Sequence, residues 1–341
     1  MANEKVTSLQ VAKAAGVSQS AVSRVFTPGA SASSKTIEKV RRAANELGYR
    51  PNVLARSLMT GKSRLIGLVV AYLNNQFYPD VMEKISKGLQ AEGYHVLVFM
   101  VEQTANNTDD VLEKILDYQA DGIILASVAM SSELASRCRA EGVPVVLFNR
   151  TQDNAMLSSI TSDNVAGGRK VAEHLIEQGY QRIAYIAGWD GASTQRDREA
   201  GFCEGLAAAG RKLFAREEGN FHFEQAKLAA RQMFSVDERP DAVFVCNDHM
   251  AFAVMDVLRD ELGLRIPEDV AVVGYDDVPA AAWGSYKLTS VRQPANRMVE
   301  QTITTLLSQI ENDDSPPVRL ALNGPLVVRS SSIKPLSLIH I

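Results

Sequence analysis

Residues 7–24 read TSLQVAKAAGVSQSAVSR, and this run decides how the chain begins. Thr7 predicts a helix N-cap, and Gln10 three residues later completes a capping box. Val11, Ala12 and Ala15 fall on one helical face. Gly16 suits the left-handed position that closes a helix and opens a turn, after which Val17 points back into a small core. Ser18 caps a second helix with Val22 and Val25 as its buried stripe. Gln19, Ser20, Ala21, Ser23 and Arg24 then lie on or near the outer face, where small and amide side chains can approach base edges and phosphates in a major groove. An ordinary helical hairpin would carry the same signals, so charge has to discriminate.

Residues 1–64 hold eleven Lys and Arg against three acidic residues, whereas the whole chain has a net charge of −4. The basic excess is therefore confined to one end and the remainder is strongly acidic, which is the electrostatic footprint of phosphate binding. A third helix follows, capped by Ser33, with Ile37, Val40, Ala44 and Leu47 on one face, and Gly48-Tyr49-Arg50-Pro51 breaks it. Asn52–Leu58 is a short helical pattern, too short to be stable alone, that could fold on meeting DNA. Gly61-Lys62-Ser63 looks like the end of a nucleotide-binding loop, but Arg56 stands where that loop requires its first Gly and no strand precedes it.

Val11-Ala12, Ala15-Gly16-Val17-Ser18, Val22-Ser23-Arg24-Val25, Lys39-Val40, Leu47-Gly48-Tyr49-Arg50-Pro51-Asn52 and Ala55-Arg56-Ser57-Leu58 resemble the N-terminal domain of the LacI/GalR family of bacterial helix-turn-helix transcription regulators. The similarity continues to about Ser332. It implies that the second helix reads a major groove and that a hinge helix enters a minor groove, with Leu58 as its wedge. Thr7, Ser18, Thr36, Tyr49, Asn52, Ala55, Arg56 and Leu58 then join Gln19, Ser20, Ala21, Ser23 and Arg24 as expected DNA contacts. Ala21 departs from the family's usual Thr, and Phe26-Thr27 from its usual Leu-Asn.

Beyond the basic segment, apolar runs at 65–71, 95–100, 122–126 and 144–148 alternate with helical patterns such as 79–92 and 109–118. After Asp163 the alternation restarts, with strands at 182–187, 242–246 and 270–274 and helices at 165–178, 248–262 and 294–310. Alternating strands and helices imply parallel sheets covered on both faces, and two such series imply two subdomains. The expected fold is an N-terminal all-α helix-turn-helix domain followed by an α/β core of two doubly wound parallel-sheet subdomains, which resemble periplasmic sugar-binding proteins. Expected boundaries are 1–49 for the helix-turn-helix domain, 50–63 for the hinge helix and linker, and 64–334 for the effector-binding and dimerisation core. Within the core, one subdomain takes about 64–163 plus 293–322 and the other about 164–292 plus 323–334. The resemblance implies chain crossings near Asp163, Gln293 and Asn323.

Ligands of open parallel sheets sit outside the carboxyl ends of the strands. Asn75, Phe77 and Tyr78 follow the first strand, with Asn74 beside them. Asn149 and Arg150 follow the fourth, and Asp163 follows the run Ser158–Thr161. Arg198, Phe221, Asn247, Asp248, Asp276 and Gln293 hold matching places later in the chain. Amides, carboxylates and Arg supply oriented donors and acceptors for a hydroxyl-rich ligand, and aromatic rings supply apolar faces. Asp248 could instead be an N-cap, and Asn149 or Asp163 turn residues. Similar family positions contact sugars, nucleosides or purines.

Other chemistry has little support. The five His residues lack metal-ligand spacing, His174 reads as a half-exposed helix residue, and Cys138, Cys203 and Cys246 read as small core residues of a reducing compartment. No metal, cofactor or catalytic grouping is expected, and no apolar run is long enough to span a bilayer. The tail 335–341 reads as non-native, and no leucine heptad follows the core. These features together predict a cytoplasmic, nucleoid-associated, ligand-responsive regulator. It would bind a double-stranded pseudo-palindromic operator as a homodimer and repress a sugar or related carbon-source operon under a sugar, sugar acid or similar polar effector. The alternatives are a sugar-binding protein of the periplasmic type and an enzyme on a doubly wound fold.

Overall fold

A computed structural model describes residues 6–27, 30–50, 62–101, 105–312 and 314–334, the stretch 105–108 by backbone alone. Asn52, Ala55, Arg56, Leu58 and the tail 335–341 lie outside the described residues. The chain divides into two compact units, Met1–Ser63 and Arg64–Ile341.

The first unit holds α1 (Ser8–Ala15), α2 (Gln19–Val25) and α3 (Ser34–Leu47). Its caps follow the local chemistry. Thr7 and Gln10 form a capping box, Gly16 ends α1 at φ 65°, and the Ser18 and Ser33 side chains accept from Ala21 N and Thr36 N. Val11, Ala12, Ala15, Val22, Val40, Ala43 and Ala44 form the core, with Val17, Val25 and Phe26 packed against it. Leu47 departs from the expected stripe and is 38% exposed, because Ala43 takes the inward position one turn earlier.

The second unit contains two six-stranded sheets. The first comprises β1 (Leu65–Val70), β2 (His95–Met100), β3 (Gly122–Ala126), β4 (Val145–Phe148), β5 (Ser158–Ser162) and β11 (Arg319–Leu322), ordered β11-β5-β4-β3-β1-β2 and parallel throughout. The second comprises β6 (Ile183–Ala187), β7 (Arg216–Glu218), β8 (Ala242–Val245), β9 (Ala271–Asp276), β10 (Thr289–Arg292) and β12 (Leu326–Val327), ordered β12-β10-β9-β8-β6-β7, with only β12 antiparallel. Helices α4 (Phe77–Ala91), α5 (Ala105–Asp117), α6 (Ser132–Ala140) and α11 (Ala295–Glu311) belong with the first sheet. Helices α7 (Asn164–Glu177), α8 (Ser193–Ala208), α9 (Phe223–Phe234) and α10 (Asp248–Asp256) belong with the second. The chain therefore passes between the sheets after β5, after β10 and after β11.

Strand alternation sorts the first sheet's side chains onto two buried faces. Leu68, Val70, Ile124 and Val146 pack with Val81, Ile85 and Leu89 of α4. Val69, Ile123, Leu125 and Leu147 pack with Leu112, Ile115 and Cys138. His174 is buried, contrary to the half-exposed expectation, and its Nε2 shares a 2.7 Å hydrogen bond with Ser332 Oγ. Ser332 belongs to the short 3-10 turn Ser330–Ser332, which thus meets α7 at His174. Among the described residues no helix is long and apolar enough to cross a membrane.

Candidate functional site

In the first unit, the outer side of α2 presents Ser18, Gln19, Ser20 and Arg24 to solvent, while Ala21 and Ser23 are half-buried. Gln19 Nε2 donates to Ser8 Oγ at 2.9 Å and so ties α2 to α1. Arg24 Nε reaches back to Ser20 O at 3.4 Å, leaving its other nitrogens outward on the last turn. Thr7 is exposed at the start of α1. Thr36 and Tyr49 are half-buried, the Tyr49 ring lying 5.9 Å from that of Phe26.

In the second unit, the strand ends of the two sheets close on a cavity of only about 10 Å³ lined by Tyr72, Asn75, Tyr78, Asn149, Arg150, Thr194, Arg198, Phe221, Asn247 and Asp276. Typical ligand pockets measure roughly 300–1,000 Å³, so a sugar-sized ligand enters only when the lobes part. The lobes are latched by direct bonds. Asn75 Nδ2 donates to Asp276 Oδ2 at 2.8 Å, Thr151 N donates to Ser193 Oγ at 2.9 Å, and Ser162 Oγ shares a 3.0 Å bond with Tyr275 Oη.

Arg198 projects from α8 into the floor of this cleft and is 2% exposed. Its Nε donates to Asn164 Oδ1 at 2.9 Å, its Nη1 donates to Cys246 O at 2.7 Å, and its guanidinium lies 3.7 Å from the Tyr275 ring centroid. Nη2 stands 3.8 Å from Asp276 Oδ1. Burial pushes the Asp276 carboxyl up, opposed by Arg198 and by hydrogen bonds from Asn75 and Gln293. On the first lobe, Asn149 Nδ2 donates to Tyr78 Oη at 3.1 Å and to Ser127 Oγ at 3.3 Å, and Tyr78 and Ser127 hydroxyls also share a bond. Six non-glycine residues at these strand ends have left-handed backbones: Ser127 (φ 59°), Asn149 (68°), Asn220 (52°), Phe221 (63°), Asp276 (122°) and Asp277 (54°). Such conformations cost about 1–3 kcal/mol each and cluster where geometry serves a ligand. Phe221 reaches its place because Gly188 is bare there, since a Cβ on Gly188 would lie 2.2 Å from the ring.

Four expected ligand residues do not line this cavity, although Phe77 and Gln293 border a neighbouring one of about 310 Å³ that Asp276 also lines. The Phe77 ring packs on Tyr78 and on Phe148, at centroid distances of 5.4 and 6.3 Å. Asp163 caps α7, its Oδ1 accepting from Ala166 N at 3.0 Å. Gln293 stands behind Asp276 and donates from Nε2 to Asp276 Oδ1 at 2.7 Å. Asp248 lies beneath the cleft floor and accepts from Ser290 Oγ at 2.6 Å and Val278 N at 2.9 Å. Nor does Asp248 cap α10. Asn247 does, accepting from Met250 N at 2.9 Å. Asn74 is exposed. Tyr72 and Thr194 line the cleft without having been singled out, since one follows a strand that its neighbours already served and the other sits on a helix whose pattern was not amphipathic. Among the described residues no group of His, Cys, Asp and Glu could hold a metal ion.

Burial pushes the Asp248 carboxyl well up, and neighbouring Asp276 adds to it. Its proton is therefore held more tightly folded than unfolded. The associated stability is complete below the ordinary carboxylate range and is lost as pH rises through the raised value. Between about pH 8 and about pH 5 the melting temperature of Asp248→Asn should fall more than that of the unaltered chain. Parallel melting curves would remove the argument.

The model for bacterial regulatory proteins of the lacI family matches residues 9–52, and that for the periplasmic binding protein-like domain matches residues 172–332. The HTH-type transcriptional repressor PurR of Vibrio atlanticus is 32% identical over 332 residues, covering 96% of this chain and 98% of the relative. The HTH-type transcriptional regulator CelR of Thermobifida fusca is 34% identical over 330 residues, covering 94% and 96%. A solved lac repressor dimer bound to operator and the anti-inducer ONPF superposes with a TM-score of 0.87 at 29% identity, covering 97% of this chain and 100% of the other. A CelR–cellobiose complex gives 0.71 at 33% identity, covering 96% and 100%.

Proposed function

Because this chain belongs to the lacI family of bacterial regulatory proteins, we propose that it is a ligand-controlled repressor of a sugar or related carbon-source operon. The observation that carries this reading is the presence, in one chain, of an exposed basic helix-turn-helix and a latched two-lobed cleft. Ser18, Gln19, Ser20 and Arg24 contact the operator. Asn75, Tyr78, Asn149, Arg198, Phe221, Asn247 and Asp276 hold a sugar, sugar acid or similar polar effector. The functional unit is a homodimer, because one recognition helix reads only a few base pairs and duplicated half-sites multiply specificity. The edge strand β2, with Val98 46% and Met100 50% exposed, offers an apolar border for a second copy. A binding protein of the periplasmic type would have no use for the basic helices, and the relatives named above are regulators rather than enzymes. The chain works in the cytoplasm, on the nucleoid.

Gel-shift titration on promoter DNA tests this. The full chain should bind a palindromic site at nanomolar to sub-micromolar concentration, and removal of residues 1–63 should abolish the shift. Arg24→Ala should weaken binding and lower the slope of log affinity against log salt by roughly 0.9, one phosphate contact. An unchanged slope and affinity would take Arg24 out of the interface, and a monomer footprint on a single half-site would defeat the dimer.

A further inference from the structure

One cleft residue has its charge unanswered. Arg150 is 6% exposed, and its Nε is buried with no hydrogen-bond partner. Its guanidinium lies 5.8 Å from the Trp189 ring and 6.0 Å from the Phe221 ring, which orient it without neutralising it. Among the described residues no carboxylate lies within ion-pair distance of Arg150. Arg198, lining the same cavity, is the contrast: its nitrogens are bonded to Asn164 and Cys246 and its charge faces Asp276. The residue before Arg150 is also incomplete. Asn149 uses its amide nitrogen on Tyr78 and Ser127, but its Oδ1 is buried without a donor. Both residues line the same cavity. A buried cation without a counter-charge and a buried acceptor without a donor are each disfavoured until something supplies what is missing.

We propose that the effector is a polyhydroxylated anion of about one sugar ring, its acid group paired with Arg150 and an adjacent hydroxyl donating to Asn149 Oδ1. This rests on the reading of the cleft as the effector site, and deepens it. Two sources share this chemistry, the carboxylate of a sugar acid and the phosphate of a sugar phosphate. A neutral sugar satisfies Asn149 but leaves Arg150 unpaired, so the cleft discriminates against it.

Isothermal titration of the full chain tests the proposal, using gluconate, glucuronate, galacturonate and glucose 6-phosphate against glucose and galactose. At least one anion should bind roughly tenfold to hundredfold more tightly than the neutral sugars, the worth of one hydrogen-bonded charge. Comparing carboxylates with the phosphate identifies the source. Arg150→Met should erase the preference, and Arg150→Lys should keep part of it. Without ligand, Arg150→Met should melt at or above the temperature of the unaltered chain, since it removes an unpaired buried charge. Three results would overturn the proposal and leave the cleft reading standing: neutral sugars binding as tightly as every anion, a preference that survives Arg150→Met, or a ligand-free melting temperature several degrees lower in Arg150→Met. Failure of all six compounds to bind would overturn both.

Discussion

Arg198→Met should destabilise the second unit by about 3–5 kcal/mol, the usual cost of removing one partner from a buried charge pair. The change strands more than one group. Asn164 Oδ1 and Cys246 O lose their donors, the Tyr275 face loses the guanidinium 3.7 Å above it, and Asp276 loses the cation 3.8 Å from it. Asp276 is already pushed up by burial, so it can take a proton, which limits the loss. The same reasoning predicts non-additivity. Asp276→Asn alone leaves Arg198 without its counter-charge, whereas the double variant leaves no charge unpaired. The double variant should therefore be more stable than the sum of the single losses implies, with a coupling of about 1–3 kcal/mol. Urea unfolding followed by the fluorescence of Trp189 and Trp283 measures it. Effector titration should show a parallel loss, since both side chains line the cleft. Strict additivity would mean that the 3.8 Å approach of Arg198 to Asp276 carries no energy.

The helices of the first unit were legible because each rests on local chemistry. Thr7 with Gln10, Gly16, Ser18 and Ser33 satisfy helix ends from within a few residues, so no tertiary information is needed. The central strands were legible for a related reason. Buried parallel strands read as short continuous apolar runs, and 65–70 and 122–126 are such runs. The short strands β7, β10 and β12 lack that signature, being brief and partly polar.

The cleft was legible only in part. Strand ends announce which residues are near a ligand, but not which of them turn toward it. Asp163 and Asn247 each had to choose between capping a helix and facing the cleft. Both cap, and Asn247 also lines the cavity because its helix begins there. Asp248 and Gln293 sit one layer behind, and their roles follow from Ser290 and Asp276, neighbours distant in sequence. Helix α8 escaped notice altogether. Its inward face carries Ser193, Thr194, Gln195 and Arg198 beside Phe202 and Leu206, so burial and polarity do not coincide along it. An amphipathic pattern appears only when the inward face meets an apolar core. The inward face of α8 meets a ligand cleft at one end and the bare backbone of α7 along its middle.

Gly201→Ala should therefore be among the most damaging small substitutions in the chain. A Cβ on Gly201 would lie 1.9 Å from Val165 O, and one on Gly168 would lie 2.1 Å from Arg198 O and 2.8 Å from Phe202 N. These obstacles are backbone atoms of the facing helix and cannot rotate aside as a side chain would. Helices α7 and α8 thus touch main chain to main chain, and a methyl group must push them apart. Overpacking a core typically costs about 1–3 kcal/mol, and rigid backbone on both sides places this case at or above the upper end. A loss of about 3 kcal/mol corresponds to a fall in melting temperature of roughly 6–12 °C for a unit of this size. The site suffers with the fold, because α8 carries Arg198. Displacing that helix by even about 1 Å would stretch the 2.7 and 2.9 Å bonds of Arg198 beyond hydrogen-bonding range. Effector affinity in Gly201→Ala should fall by at least about tenfold at temperatures where the variant is still folded. Gly284→Ala is the control. Nothing lies within 4 Å of the added Cβ there, so stability should stay within about 0.5 kcal/mol. A Gly201→Ala protein that melted and bound effector like the control would show that α7 and α8 can separate at no cost, and that Arg198 does not depend on their contact.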